Sequence, residues 1–142
     1  MNLKQKYGQL ALIAGASEGI GAAYAEYLAA AGMDLILVAR RKEPLEQLAM
    51  LLIGKYNINV DYICCDLAAV NAAQQLQQDL NGKEINLFVY NAALSYIGPF
   101  EHNSLEQHNQ IAQANMITPM NLIQIFGASM LSNCVYRNGL LW

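Results

Sequence analysis

A chain of 142 residues is enough for one domain with one core. With 55% hydrophobic and 13% charged residues, it has the composition of a buried sheet and not of a disordered chain. A net charge of −3 leaves no basic field to recruit nucleic acid or an anionic lipid surface.

Lys4 and Lys6 stand before an apolar run, superficially the pattern of a leader peptide. Glycines interrupt the run within a few residues and Glu18 follows, which argues against export and against a membrane span. Leu10–Ala14 reads as a short buried strand. A turn through Gly15, Ala16, Ser17 and Glu18 leads to an alanine-rich helix over Gly19–Ala31, stopped by Gly32. The second strand is Asp34–Ala39, apolar on both faces. The next helix starts near Glu43 and Pro44, proline being tolerated at the first helical position, and carries a stripe of Leu45, Leu48 and Leu52. Asn59–Cys64 is the third strand. The third helix, Ala69–Leu80, spaces Val70, Ala73, Leu76 and Leu80 along one face. The fourth strand, Asn86–Tyr90, precedes a long helix over Ser104–Leu131, with Ser104 and Gln107 placed as a capping box. Asn138–Trp142 reads as a turn and the opening of a fifth strand.

Doubly apolar strands separated by helices predict a parallel sheet covered on both sides, joined by right-handed crossovers. Ligands of such sheets bind beyond the carboxyl ends of the strands, near the point where strand order reverses. The residues just after each strand therefore carry the functional reading.

After the first strand, Gly15 permits the turn. Gly19 lets backbone approach a ligand with no Cβ between, and Gly21 lets the helix pack close on the strand it has left. The free N–H groups at this helix start and its dipole suit a pyrophosphate, and Ser17 adds a hydroxyl. The spacing is G-x-x-x-G-x-G and not G-x-G-x-x-G, so a turn that merely needs glycines is the plain alternative. After the second strand come Arg40 and Arg41, with no acid to hold a ribose hydroxyl. Arginine suits a phosphate, which favours NADP over NAD. The alternative is a solvated basic turn that includes Lys42. Glu18 runs against the phosphate reading, since a negative side chain gains nothing there unless it faces solvent.

Asp66 can accept from an adenine amino group or cap the next helix, and alone it reads better as the cap. Asn91, Ala92 and Ala93 are small enough to admit a flat ring, and Asn91 can tie the fourth strand to its neighbour. Asn115 sits mid-helix, where asparagine costs about 0.5 kcal/mol relative to alanine. Pro119 lies four residues on and lacks the N–H that the Asn115 carbonyl would use. The expected bend frees a carbonyl for a water or a ligand group. Cys64, Cys65 and Cys134 form no C-x-x-C and read as reduced, buried thiols of a cytoplasmic protein, with no metal site.

In this order and spacing, Ala14 to Gly21, Arg40, Asp66-Leu67, Asn91-Ala92-Ala93 and Asn115 resemble the short-chain dehydrogenase/reductase family over essentially the whole chain. The resemblance implies an α/β, three-layer Rossmann fold with sheet order 3-2-1-4 and a stub of strand five. It implies that Gly15, Ser17, Glu18, Gly19, Ile20 and Gly21 hold pyrophosphate, and that Arg40 and Arg41 bind the 2′-phosphate of NADP(H). Asp66 and Leu67 then border adenine, while Asn91, Ala92 and Ala93 line the ribose and nicotinamide. Asn115 matches the family's catalytic asparagine, whose carbonyl holds a water in the proton relay. Ala14, Tyr90 and Ala93 depart mildly from the family's usual threonine, asparagine and glycine.

One departure is severe. The family's chemistry uses a serine after strand five and a Tyr-x-x-x-Lys, and none of the eight tyrosines here has a lysine four residues on. Residues 1–142 are thus expected to form one dinucleotide-binding Rossmann domain, incomplete on its C-terminal side. The chain reads as the N-terminal part of an NADP-dependent oxidoreductase for a small carbonyl or alcohol substrate, inactive alone. The alternative is a non-catalytic nucleotide-binding or interaction module. An uncovered edge strand predicts a homo-oligomer.

Overall fold

The computed structural model describes residues 2–138. Its apolar runs become the strands β1 (Leu10–Ala14), β2 (Asp34–Ala39), β3 (Val60–Cys64) and β4 (Leu87–Tyr90). All pair in parallel, in the expected order β3-β2-β1-β4. Between and beside them lie α1 (Leu3–Tyr7), α2 (Gly19–Ala30), α3 (Lys42–Tyr56), α4 (Ala72–Leu80), α5 (Leu105–Ala112) and α6 (Thr118–Asn138).

Side chains alternate along a strand, so β1 and β2 feed two cores. Ala11, Ile13, Leu35 and Leu37 pack with Ala25 and Leu28 of α2 and Leu45 and Leu52 of α3. Leu12, Ala14, Ile36 and Val38 pack on the other side with Leu76 of α4 and Leu122 and Phe126 of α6. The result is the three-layer Rossmann arrangement. Leu12, Ile13, Ile36 and Leu37 are at most 1% exposed. Each such side chain contributes roughly 1.5–3 kcal/mol relative to an exposed one. Among the described residues no helix is long and apolar enough to cross a membrane.

Several boundaries differ from the sequence reading for local reasons. Helix α1 was not expected; the Asn2 side chain caps it by accepting from the Gln5 N–H at 3.2 Å, and Leu3 packs on the core. Helix α3 starts at Lys42, which puts Pro44 at the third position, still in the first turn, where N–H groups lack helical acceptors. Helix α4 starts at Ala72 and not at Ala69, leaving Val70 83% exposed and off the predicted stripe. Asp66 does not cap that helix. Its carboxylate accepts from the Ala68 N–H at 3.1 Å and closes a local turn. Asn86 precedes β4, where its side-chain oxygen accepts from the N–H groups of Gln9 and Leu10. Cys65 is buried but Cys64 is exposed, since the two point to opposite faces at the end of β3. Residues 139–142, where a fifth strand was read, lie outside the described residues.

The long fourth helix is broken in three. Ser104 and Gln107 form the predicted capping box at α5. A π turn, Gln113–Ile117, then separates α5 from α6. Pro119 offers no N–H, and the helix before it widens by one residue instead of simply bending.

Candidate functional site

Backbone bonds draw the carboxyl ends of the strands together. The Gly15 N–H donates to the Val38 carbonyl at 2.8 Å, Asn91 N–H to Ala14 at 2.8 Å, and Cys65 N–H to Ala39 at 3.0 Å. Above them, where strand order reverses at β1, opens a cleft of about 230 Å³. Gly15, Ser17 and Glu18 line it from the first turn, and Arg40 and Arg41 from the end of β2. Asp66, Leu67, Asn91, Ala92 and Ala93 line it from the ends of β3 and β4. The residues singled out after all four strands thus meet in one place. Gly19, Ile20, Gly21 and Asn115 are not cleft-lining residues, and Ile20 is 67% exposed.

The glycines divide by role. A Cβ on Gly15 (φ +83°) would stand 2.5 Å from the Ala92 nitrogen, and one on Gly21 would stand 1.9 Å from the Gly15 carbonyl oxygen. Both are demanded by the fold. Gly19 has φ +57°, yet a Cβ there would meet no atom within 4 Å. Its space is open. Glu18 occupies the N-cap position of α2 without a side-chain capping bond, so the first-turn N–H groups have no side-chain acceptor. Such a helix start favours an anion.

Glu18 does not stand unpaired in solvent. Its carboxylate meets Arg41 at 3.0 Å, with side chains 78% and 61% exposed. An ion pair so exposed is weak and opens readily. Arg40 has no carboxylate partner within salt-bridge distance among the described residues, so its guanidinium is the freer of the two. Asp66 is exposed at the opposite wall, with Leu67 buried behind it. Cys65 also borders the cleft. Burial, aided by Asp66 and Asp79, pushes its thiol up to about 11, which keeps it protonated and poorly nucleophilic at neutral pH. The described residues contain no His/Cys/Asp/Glu cluster able to hold a metal.

Asn91 does tie β4 to its neighbour, its side-chain amide donating to the Gly15 carbonyl at 3.5 Å. Asn115, itself exposed, clamps the segment after β4. Its side chain accepts from the Leu94 N–H at 2.9 Å and donates to the Leu94 carbonyl at 2.8 Å. Pro119 was read as stripping the Asn115 carbonyl. In the π turn the Thr118 N–H goes back to Gln113, so the Ala114 carbonyl loses its helical donor, and the Tyr90 hydroxyl donates to it instead. Thr118, fully buried, donates to the Leu67 carbonyl at 2.9 Å and accepts from the Gln113 side chain at 3.0 Å. Tyr90, Gln113 and Thr118 were missed as site supports. The proline was the one available signal, and it does not reveal the register a helix adopts.

The chain matches the short chain dehydrogenase family over residues 9–136. It is 39% identical to a 7beta-hydroxysteroid dehydrogenase of Clostridium sardiniense over 70% of this chain and 38% of that protein. A solved 7beta-hydroxysteroid dehydrogenase aligns with TM-score 0.89 and 29% identity, over 94% of this chain and 53% of the other. A short-chain dehydrogenase from Sphingobium yanoikuyae in complex with NADPH aligns with TM-score 0.75 and 29% identity, over 90% and 49%. The chain thus spans well under half the length of this curated relative and about half that of the solved ones. The fold, the glycine turn and the matched span agree: the chain belongs to the short-chain dehydrogenase family of oxidoreductases, whose members bind nicotinamide dinucleotides.

Proposed function

We propose that this chain holds NADP(H) in the cleft, as the nucleotide-binding part of an oxidoreductase that moves hydride between that cofactor and a carbonyl or alcohol carbon. The observation that carries the reading is the meeting, in one cleft, of Gly15, Ser17 and Glu18 at the uncapped start of α2 with Arg40 and Arg41, next to a Gly19 whose Cβ would meet no atom within 4 Å. The fit is chemical as well as spatial. The Gly15 and Ala16 N–H groups are taken by the Val38 carbonyl, and the N–H groups that follow, from Ser17 to Gly21, suit a diphosphate. Arg40 pairs with the 2′-phosphate, joined by Arg41 when Glu18 releases it. Asp66 and Leu67 border adenine, and Asn91, Ala92 and Ala93 admit the ribose and nicotinamide. Asn115 holds the Leu94 backbone next to that end and, by the family pattern, offers its carbonyl to a relay water. The bound cofactor supplies the carbon that gives or takes hydride.

The chain presents no Tyr-x-x-x-Lys to protonate a substrate oxygen. Alone it binds and does not turn over, and the substrate remains a small carbonyl or alcohol of the whole protein. The reduced thiols of Cys64 and Cys65 suit a cytoplasmic setting. Strand β4 is hydrogen-bonded only to β1 among the described residues, which supports association of copies through this edge. Light scattering is expected to give a mass above the 15.6 kDa protomer, and a clean monomer at high concentration contradicts association.

Nicotinamide fluorescence tests the main reading. The 142-residue chain is expected to bind NADPH saturably, about tenfold or more tighter than NADH, and to consume it with carbonyl substrates no faster than buffer does. Absence of NADPH binding overturns the site. Robust NADPH-linked turnover overturns the claim of inactivity.

A further inference from the structure

Tyr90 is the last residue of β4, and Asn91, Ala92 and Ala93 of the cleft follow it directly. Its hydroxyl donates to the carbonyl of Ala114, and the next residue, Asn115, makes both its side-chain bonds to the backbone of Leu94. The segment 90–94 is therefore pinned at both ends to two consecutive residues of the π turn. In a regular α-helix the Thr118 N–H would already satisfy the Ala114 carbonyl, and a hydroxyl could add only a second, dispensable bond to it. Here that N–H bonds to Gln113, and position 119, the next donor in line, is proline. Proline thus strands a carbonyl, and tyrosine at the strand end claims it.

We propose that the Tyr90 hydroxyl is a positioning group that fixes the segment 91–94 at the nicotinamide end of the cleft, acting through the Ala114 carbonyl that Pro119 leaves without a helical donor. The proposal rests on the dinucleotide reading given above and names a support within that site. Three further facts agree with it. The tyrosine ring is half-buried and packs edge-on to Phe88, with centroids 6.1 Å apart, so the hydroxyl is aimed by packing. Burial raises the phenol to about 12, so the donor proton is retained throughout the working pH range. And the residue after Ala114 grips the same segment, so a shift at one pin is felt at the other.

The test is a double-mutant cycle on the full 142-residue chain, with Tyr90→Phe, Pro119→Ala and both together. Two ligands are titrated: NADPH, which spans the cleft, and adenosine 2′,5′-bisphosphate, which reports the adenosine end alone. Tyr90→Phe is expected to weaken NADPH about 5- to 10-fold, the loss of one hydrogen bond that leaves a carbonyl unpaired. Binding of the bisphosphate stays within about twofold, as does the effect of Pro119→Ala alone. With an N–H restored at position 119, the Ala114 carbonyl regains a backbone donor, so Tyr90→Phe becomes nearly silent in that background. Equal weakening of both ligands, an unchanged NADPH affinity, or the same loss in the Pro119→Ala background each overturns the proposal while leaving the site reading intact. A wild-type chain that binds neither ligand overturns both.

Discussion

Gly19→Ala is expected to abolish dinucleotide binding while leaving the chain folded, whereas Gly21→Ala is expected to unmake the fold around the turn. The difference follows from what each missing side chain would touch. At Gly21 a Cβ would sit 1.9 Å from the Gly15 carbonyl oxygen, against backbone that has nowhere to go. Relieving such overlap means prising α2 off β1, at the upper end of the roughly 1–3 kcal/mol that overpacking costs. At Gly19 the φ of +57° makes an alanine strained by about 1–2 kcal/mol, but no atom opposes its methyl group. The methyl instead fills the space through which a diphosphate would approach the α2 N–H groups. Thermal melts should show a drop of several degrees for Gly19→Ala and a larger one for Gly21→Ala. Titration with NADPH separates them further: the folded Gly19→Ala chain should give no saturable signal. Wild-type NADPH affinity in that variant would mean that the ligand never approaches the turn.

Arg40→Ala is expected to weaken NADPH by about 10- to 100-fold and to leave NADH within about twofold. One charge-assisted bond lost to a phosphate is worth roughly 1.5–3 kcal/mol, which sets that range. Arg41→Ala should do less, because its guanidinium is already engaged by Glu18 in the free chain and part of its attraction is offset in opening that pair. The comparison of the two nucleotides isolates the 2′-phosphate, since they differ in nothing else. If both affinities fall together, Arg40 supports the turn between β2 and α3 and does not select the cofactor.

Much of this architecture was legible in the sequence because it rests on local chemistry. Leu35, Ile36, Leu37 and Val38 are apolar on both faces, and only a strand covered on two sides buries them all. The glycine turn was legible because close packing at Gly15 and Gly21 and the open approach at Gly19 each exclude a side chain. What escaped was non-local or a matter of register. Helix α1 is five residues long, too short to show a period. Asp66 reads in the sequence as an adenine acceptor or, better, as a helix cap, and it closes its own turn instead of capping α4. The Glu18–Arg41 pair joins residues 23 apart on different elements, so each looked like an isolated charge. Pro119 announced a missing N–H but not that the helix would answer with a π turn, nor that Tyr90, 24 residues upstream of Ala114, would fill the gap.

The central claim is that the bend between β1 and α2 cradles a dinucleotide's diphosphate. Backbone amide chemical shifts followed by NMR during titration with NADP measure this most directly. The account predicts that the largest changes fall on Gly15–Gly21, with smaller ones at Arg40, Arg41 and residues 91–94. Changes centred instead on Asp61, Tyr62 and Lys83, which line a separate hollow at β3, would contradict it, as would a spectrum that NADP leaves unmoved.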